Sequence, residues 1–238
     1  MKIDVAFTPA EVGGQAGDRT VVVIDVLRAC SSILEALVNG AHAVIPVESV
    51  EIAVARAQEI GRDQCILCGE RDTQPIAGFQ LGNSPLEFTS QRVAGKTLVM
   101  TTTNGTRALA LGGTGSRCLV GSLLNAAAVA DAVRSDAGVL LLCAGRDGRF
   151  ALEDALCAGT IARHLAAGRK RSDVQPNDAA LTAMMLARRF QNRLYDTIRR
   201  SAASRRLIEA DRSEDVEYCA RMDLHDRVPV VRERRITL

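Results

Sequence analysis

The segment Lys96-Thr97-Leu98-Val99-Met100-Thr101-Thr102-Thr103-Asn104-Gly105-Thr106-Arg107 sets hydroxyls, an amide and a glycine between two apolar stretches. Leu98, Val99 and Met100 read as a buried strand, and Ala108-Leu109-Ala110-Leu111 continues at a spacing that suits a helix. Between them Thr101, Thr102, Thr103 and Thr106 offer hydroxyl donors, and Gly105 allows a backbone turn closed to other residues. The following helix would add free N–H groups and a positive dipole end. Such a bend suits an oxyanion, and a phosphate above all. Asn104-Gly105 is also the commonest hairpin turn, but the downstream flank has neither alternation nor β-branched residues, which favours strand, loop and helix. Asn104-Gly105-Thr106 is formally a glycosylation acceptor, which matters only in a secreted protein.

Acidic and basic residues follow other strand-like runs in the way an anion site needs. Asp25 and Arg28 follow the second run, Glu70 and Arg71 the fourth, and Gly145-Arg146-Asp147-Gly148 with Glu153 and Asp154 the seventh. In an open parallel sheet ligands bind beyond the carboxyl ends of the strands, so these groups converge on one edge. Mg²⁺ takes oxygen ligands and shares phosphate oxygens with one or two carboxylates, so Asp25, Glu70, Glu153 and Asp154 are its candidate ligands. Arg28 and Arg71 can clamp a phosphate or a second anionic group bidentately. Taken singly, each acid is equally a helix cap or half of a salt bridge, and each arginine its partner.

Competing chemistries leave weaker traces. Cys143 and Arg149 have the spacing of cysteine-dependent phosphatases, but no histidine precedes Cys143 and Phe150 stands where a hydroxyl would hold the thiolate. Asp25 has the position of an aspartyl-phosphate nucleophile, yet Leu27 replaces the second aspartate of that motif. Gly95-Lys96-Thr97 ends like a P-loop but precedes a strand. Cys65 and Cys68 form one pair without a second, inside an apolar run, and read as core. The three histidines, His42, His164 and His225, share no ligand spacing.

The elements that must position these groups alternate. Strand-like runs at 3–7, 21–25, 43–47, 64–68, 98–101, 118–121 and 139–143 are separated by helix-like ones, which predicts an α/β fold with a largely parallel sheet. Ser31 to Val38 follows the second run, and Ser49 caps a helix that Gly61 ends. Asn83-Ser84-Pro85 reads as an N-cap with proline at the first helical position; helices follow at 126–134 and 152–167. After Gly168 comes a charged linker and a mainly helical portion, 169–238, with a helix at 181–195, two short ones at 207–210 and 216–222, and an edge strand at 228–231. That portion carries too little apolar surface for its own core, so the chain is expected to form a single domain, 1–238, in which it packs back on an alternating β/α core, 1–168.

Composition narrows the class. The net charge is +2 with charges dispersed, which implies neither nucleic acid nor a membrane as partner. The first residues, Met1-Lys2-Ile3-Asp4-Val5-Ala6-Phe7, are too short and charged for a secretory signal, so a cytoplasmic location is expected. The seven cysteines fall mostly inside apolar runs and read as buried reduced thiols.

Five motifs, in order and spacing, carry a resemblance over nearly the whole chain: Ile24-Asp25-Val26-Leu27-Arg28-Ala29; Gly69-Glu70-Arg71; Gly78-Phe79 with Gly82-Asn83-Ser84-Pro85; Thr101-Thr102-Thr103-Asn104-Gly105-Thr106; and Glu153-Asp154. The chain resembles the 2-phosphosulfolactate phosphatase family. The resemblance implies a three-layer α/β/α fold and an Mg²⁺-dependent hydrolysis of 2-phospho-3-sulfolactate to 3-sulfolactate and phosphate, a step that serves coenzyme M synthesis in methanogens. It departs from the family at Gln80, where an aspartate is common, and mildly at Cys30-Ser31, and Gly69-Glu70-Arg71 is followed by Asp72-Thr73-Gln74-Pro75.

On that reading Asp25, Glu70 and Asp154 are the catalytic and metal-holding set, and Thr102, Thr103, Asn104, Gly105 and Thr106 receive the phosphate oxygens. Asn83 and Ser84 join the substrate site, and Arg28 and Arg71 meet the carboxylate or sulfonate. A metal-activated water is the simplest nucleophile, with Asp25 as the covalent alternative. The rival class is a non-catalytic module that binds a phosphorylated metabolite; a homodimer is compatible with either.

Overall fold

The seven apolar runs become strands of a mixed sheet because each is short, rich in valine, isoleucine and leucine, and bounded by turn residues. The computed structural model describes residues 1–61 and 63–238. In chain order the strands are β1 (Lys2–Ala6), β2 (Thr20–Ile24), β3 (Ala43–Pro46), β4 (Cys65–Arg71), β5 (Gln74–Pro75), β6 (Thr97–Thr101), β7 (Arg117–Gly121), β8 (Gly138–Cys143), β9 (Gln175–Pro176), β10 (Val230–Arg232) and β11 (Arg235–Thr237). The helices are α1 (Ala29–Val38), α2 (Val50–Ile60), α3 (Ser90–Val93), α4 (Gly105–Gly112), α5 (Ala126–Ala132), α6 (Leu152–Ala166), α7 (Asp178–Phe190), α8 (Leu194–Ile198), α9 (Ala202–Glu209) and α10 (Ser213–Cys219).

The strand order is β5-β4-β6-β3-β11-β10-β7-β2-β8-β1-β9. Two parallel blocks, β4-β6-β3 and β7-β2-β8-β1, are joined by the antiparallel hairpin β10–β11. This corrects the expected terminal edge strand: Val230 and Val231 pair with Leu119 and Cys118, and Ile236, fully buried, pairs with Val44. A two-residue turn at Glu233 and Arg234, both with positive φ, closes the hairpin with the twist its strands need, although neither residue is a usual turn signal.

Three apolar clusters give the layers. One packs the outer face of the β7-β2-β8-β1 block against α5, α6, α7, α9 and α10, and a small one packs β4 and β6 against α2. The third joins residues of both blocks, such as Val23, Leu98 and Leu142, to Ile33 of α1 and Leu109 of α4. α4 touches both β2 and β3, members of different blocks. Residues at the carboxyl ends of β2, β4, β6 and β8 line one cleft. Asn83-Ser84-Pro85 opens only a single 3₁₀ turn, Pro85–Glu87, in place of the expected helix. The expected 181–195 helix starts earlier and breaks at Phe190.

Candidate active site

Asp25 leaves β2 and accepts the Ala29 amide at the start of α1 through Oδ1 (3.2 Å). Its Oδ2 lies against Gly105: a Cβ there would stand 2.7 Å from Asp25 Oδ2 and 2.5 Å from Ala29 Cβ. Gly105 does not take a positive φ, so close approach and not turn geometry is what requires glycine. The threonine bend is tied back on itself, with the Thr106 hydroxyl donating to the Thr102 carbonyl (3.0 Å) and the Thr106 amide to Thr102 Oγ1 (3.2 Å).

Glu70 ends β4 and spans two loops. Its Oε1 accepts the Thr103 amide (2.9 Å) and its Oε2 the Thr73 amide (3.0 Å). Gly69, at φ +143°, allows this approach, since a side chain there would strike the Thr101 carbonyl. Asp72 and Thr73 form a two-residue turn between β4 and β5 with φ of 51° and 69°. A β-branched threonine is strained in that region, and here the Glu70 carboxylate and the Arg28 guanidinium both grip it, Arg28 Nη2 donating to the Thr73 carbonyl (3.1 Å).

Asp154 sits in the first turn of α6 and staples two loops, its Oδ1 accepting the Val26 amide (2.9 Å) and its Oδ2 the Gly145 amide (3.1 Å). The preceding residue, Glu153, is also buried, and its Oε2 has no hydrogen-bond partner. These carboxyl groups feel one another. Burial, opposed by the Ala29 amide and reinforced by Glu70 and Glu153, pushes Asp25 up to about 7. Burial, then repulsion from Asp25 and Glu153, raises Asp154 well above the usual carboxylate range, and burial raises Glu153.

The cleft enclosed by these groups holds about 650 Å³ of space between atoms, its open mouth included. Three buried oxygens with no partner belong to residues that line it: Asn83 Oδ1, Thr103 Oγ1 and Glu153 Oε2. Unsatisfied buried polar atoms are costly, and three at one cleft point to a polar ligand that meets them. Among the described residues no three acidic, histidine or cysteine side chains enclose a metal by themselves. The oxygen-only donors, the idle Glu153 Oε2 and the mutual repulsion of the carboxyls suit a hard cation that keeps water and phosphate in its shell, which is the habit of Mg²⁺.

Sequence comparisons identify the family. A family model described as 2-phosphosulpholactate phosphatase matches residues 6–234. A protein of Thermotoga maritima named probable 2-phosphosulfolactate phosphatase is 41% identical over 229 residues, covering 96% of this chain and 95% of that one. One of Symbiobacterium thermophilum with the same name is 40% identical over 235 residues, covering 98% and 99%. One of Caldanaerobacter subterraneus subsp. tengcongensis, also so named, is 41% identical over 213 residues, covering 89% and 87%. The chain belongs to the 2-phosphosulfolactate phosphatase family. It is therefore a phosphoric monoester hydrolase.

In this family member the cleft gathers Asp25, Arg28, Glu70, Asn83, Thr102, Thr103, Asn104 and Asp154 of the residues anticipated from sequence. Asn104 Oδ1 accepts the Asp147 amide (3.1 Å), which links the threonine bend to the loop after β8. Four anticipated residues lie elsewhere. Ser84 stands behind Arg28 and donates its hydroxyl to Asp215 Oδ1 (2.5 Å). Arg71 donates to the Glu70 carbonyl (2.8 Å) and to Thr101 Oγ1 (2.9 Å), and lines a neighbouring groove with Arg107 and Thr106. Gly105, buried, supports the bend from below its surface, and Thr106, also buried, borders that groove.

The cysteine route fails on burial. Cys143 is fully enclosed in the core, and burial, then Asp154, hold its thiol well above its ordinary value, so no thiolate is offered. Sequence reasoning missed contributions from the C-terminal helices. Asp215 of α10 pairs with Arg28 (Nη1 to Oδ2, 2.6 Å) with side chains 4% and 3% exposed, and Ala203, Arg206 and Leu207 of α9 line the cleft. Asp215 and Arg206 have no metal or nucleophile spacing in the sequence that could have announced them. Among the described residues no helix is long and apolar enough to cross a membrane.

Proposed function

We propose that this protein hydrolyses the phosphate ester of 2-phospho-3-sulfolactate to 3-sulfolactate and inorganic phosphate, with Mg²⁺ as cofactor. Supporting this reading above all is the meeting of Asp25 with the threonine bend at Gly105, which sets a cation-binding carboxylate against an oxyanion-binding loop. Asp25 and Glu153 would hold the ion, each keeping one carboxylate oxygen outside any hydrogen bond among the described residues, and Glu70 and Asp154 frame them by fixing four loops. When bound, Mg²⁺ supplies neutralisation of the phosphate oxygens and activation of a water for in-line attack.

The protein's own groups do the rest. The Thr103 hydroxyl receives a phosphate oxygen, and the Asn83 side chain meets the ester end of the ligand. A carboxyl near 7, as at Asp25, can exchange protons at neutral pH once the ion is absent, and holds a full negative charge once it is present. The test is inorganic phosphate release from 2-phosphosulfolactate beside 2-phospholactate, with Mg²⁺ and with a chelator. Release from the sulfonated ester that the chelator abolishes is expected. Release that is indifferent to chelation excludes the metal, and ligand binding without release makes the protein a metabolite-binding module.

A further inference from the structure

Six carboxylates and three guanidinium groups belong to residues that line the cleft: Asp25, Glu70, Asp72, Asp147, Glu153 and Asp154 against Arg28, Arg146 and Arg206. A substrate carrying phosphate, carboxylate and sulfonate needs an uncommitted cation there. Arg28 is not one, being bound to Asp215 in a buried pair. Arg146 is partly committed too, with Nε 3.6 Å from the Asp147 carboxylate. Arg71 lies in the adjoining groove. Arg206 is exposed and makes no ion pair among the described residues.

Its helix is firmly set. Ser201 caps α9 by accepting the Ser204 amide (3.2 Å), Ser204 donates its hydroxyl to the Ile198 carbonyl (2.7 Å), and Leu207 is 2% exposed in the core. Ala203, Arg206 and Leu207 recur at three- and four-residue spacing, so one stripe of α9 meets the cleft, with the small Ala203 leaving room beside the guanidinium.

Resting on the reading above, we infer that Arg206 is the specificity-determining residue that binds the substrate's sulfonate. The phosphate occupies the inner end, at the threonine bend and the carboxylates. The sulfonate is on the carbon next to the ester carbon and turns outward about the bond between them, toward the mouth that α9 borders. It stays a monoanion across the working pH range and spreads its charge over three oxygens, which a planar guanidinium matches and Mg²⁺ does not favour.

The experiment compares wild type, Arg206→Ala and Arg206→Lys on 2-phosphosulfolactate and 2-phospholactate, which differ only by the sulfonate. Arg206→Ala should raise KM for the sulfonated ester by about tenfold or more, leave kcat within about twofold, and leave KM for 2-phospholactate unchanged; Arg206→Lys should recover part of the loss. Because Arg206 is exposed, folding is preserved, and circular dichroism checks it. An equal rise of KM for both esters assigns Arg206 to the shared carboxylate or phosphate and overturns the inference, as does no change for either. Wild type inactive on both esters overturns the functional reading itself, and the inference falls with it.

Discussion

Removing the carboxylate of Asp215 isolates the contribution of the C-terminal helices to the site. In the native protein Asp215 accepts Arg28 Nη1 at 2.6 Å and the Ser84 hydroxyl at 2.5 Å, with the ion-paired side chains 4% and 3% exposed. Asp215→Ala leaves a guanidinium buried without its counter-charge, a loss of roughly 3–5 kcal/mol, and also strands Ser84. For a chain of this length each kcal/mol moves the melting temperature by about 2–4 °C, so the variant should melt roughly 6–20 °C below wild type. Asp215→Asn keeps the volume and one acceptor and should fall in between. Since Arg28 also grips the Thr73 carbonyl, Asp215→Ala should disturb the Asp72–Thr73 turn at the cleft and lower kcat/KM even well below its melting temperature. Differential scanning calorimetry at neutral pH, paired with kinetics at 20 °C, reads both effects. A variant that melts within 2 °C of wild type with unchanged kinetics would refute the reasoning, because a pair that can be broken at no cost is not holding Arg28 in place.

Cys143→Ala should retain phosphatase activity within about threefold, since its thiol is buried in the core and held protonated; abolished turnover in a folded variant would restore the cysteine route. Stability should also depend on pH in the metal-free protein. Burial raises Asp25 from 3.8 to about 7, so the proton it retains stabilises the fold fully below its unfolded value near 3.8, and that contribution is lost as pH rises toward 7. For Asp25 alone the loss is at most roughly 4 kcal/mol, and Asp154 and Glu153 act in the same direction. Melting temperature without divalent cations should fall between pH 5 and pH 8, and saturating Mg²⁺ should restore most of it at pH 8; a flat profile in both conditions speaks against a strained carboxylate cluster.

Much of this was legible in the residues. The runs that became β1 to β4 and β6 to β8 combine valine-, isoleucine- and leucine-rich segments with flanking turn residues, and burial on both faces made the signal of β2, β6, β7 and β8 strong. Asp25 and the threonine bend follow strands directly, Glu70 lies at the end of β4 and Asp154 opens the helix that follows β8, so the rule that ligands gather at the carboxyl ends of strands located them. What sequence order could not convey was which strand ends meet across the sheet. The loops after β6 and β2 meet at Gly105 and Asp25 although the two strands belong to different blocks, and those blocks are joined by a hairpin, β10–β11, whose turn of Glu233 and Arg234 carries no glycine or asparagine to announce it. The direction of a side chain was equally hidden. Arg71 and Ser84 sit in motifs beside the site, yet hydrogen bonds to Thr101 and Asp215 turn them to supporting positions. Arg206 was invisible because an arginine on an amphipathic helix normally faces water, and only the packing of Leu207 decides which way its neighbour points.

The most direct measurement is single-turnover phosphate release from 2-phosphosulfolactate by Asp25→Asn, with Mg²⁺ binding followed by calorimetry on the same preparation. Asp25→Asn should keep the fold, bind Mg²⁺ at least about tenfold more weakly and release phosphate roughly a hundredfold more slowly or worse. Phosphate release and Mg²⁺ affinity both within threefold of wild type would mean that the carboxylate facing the threonine bend takes no part in the reaction.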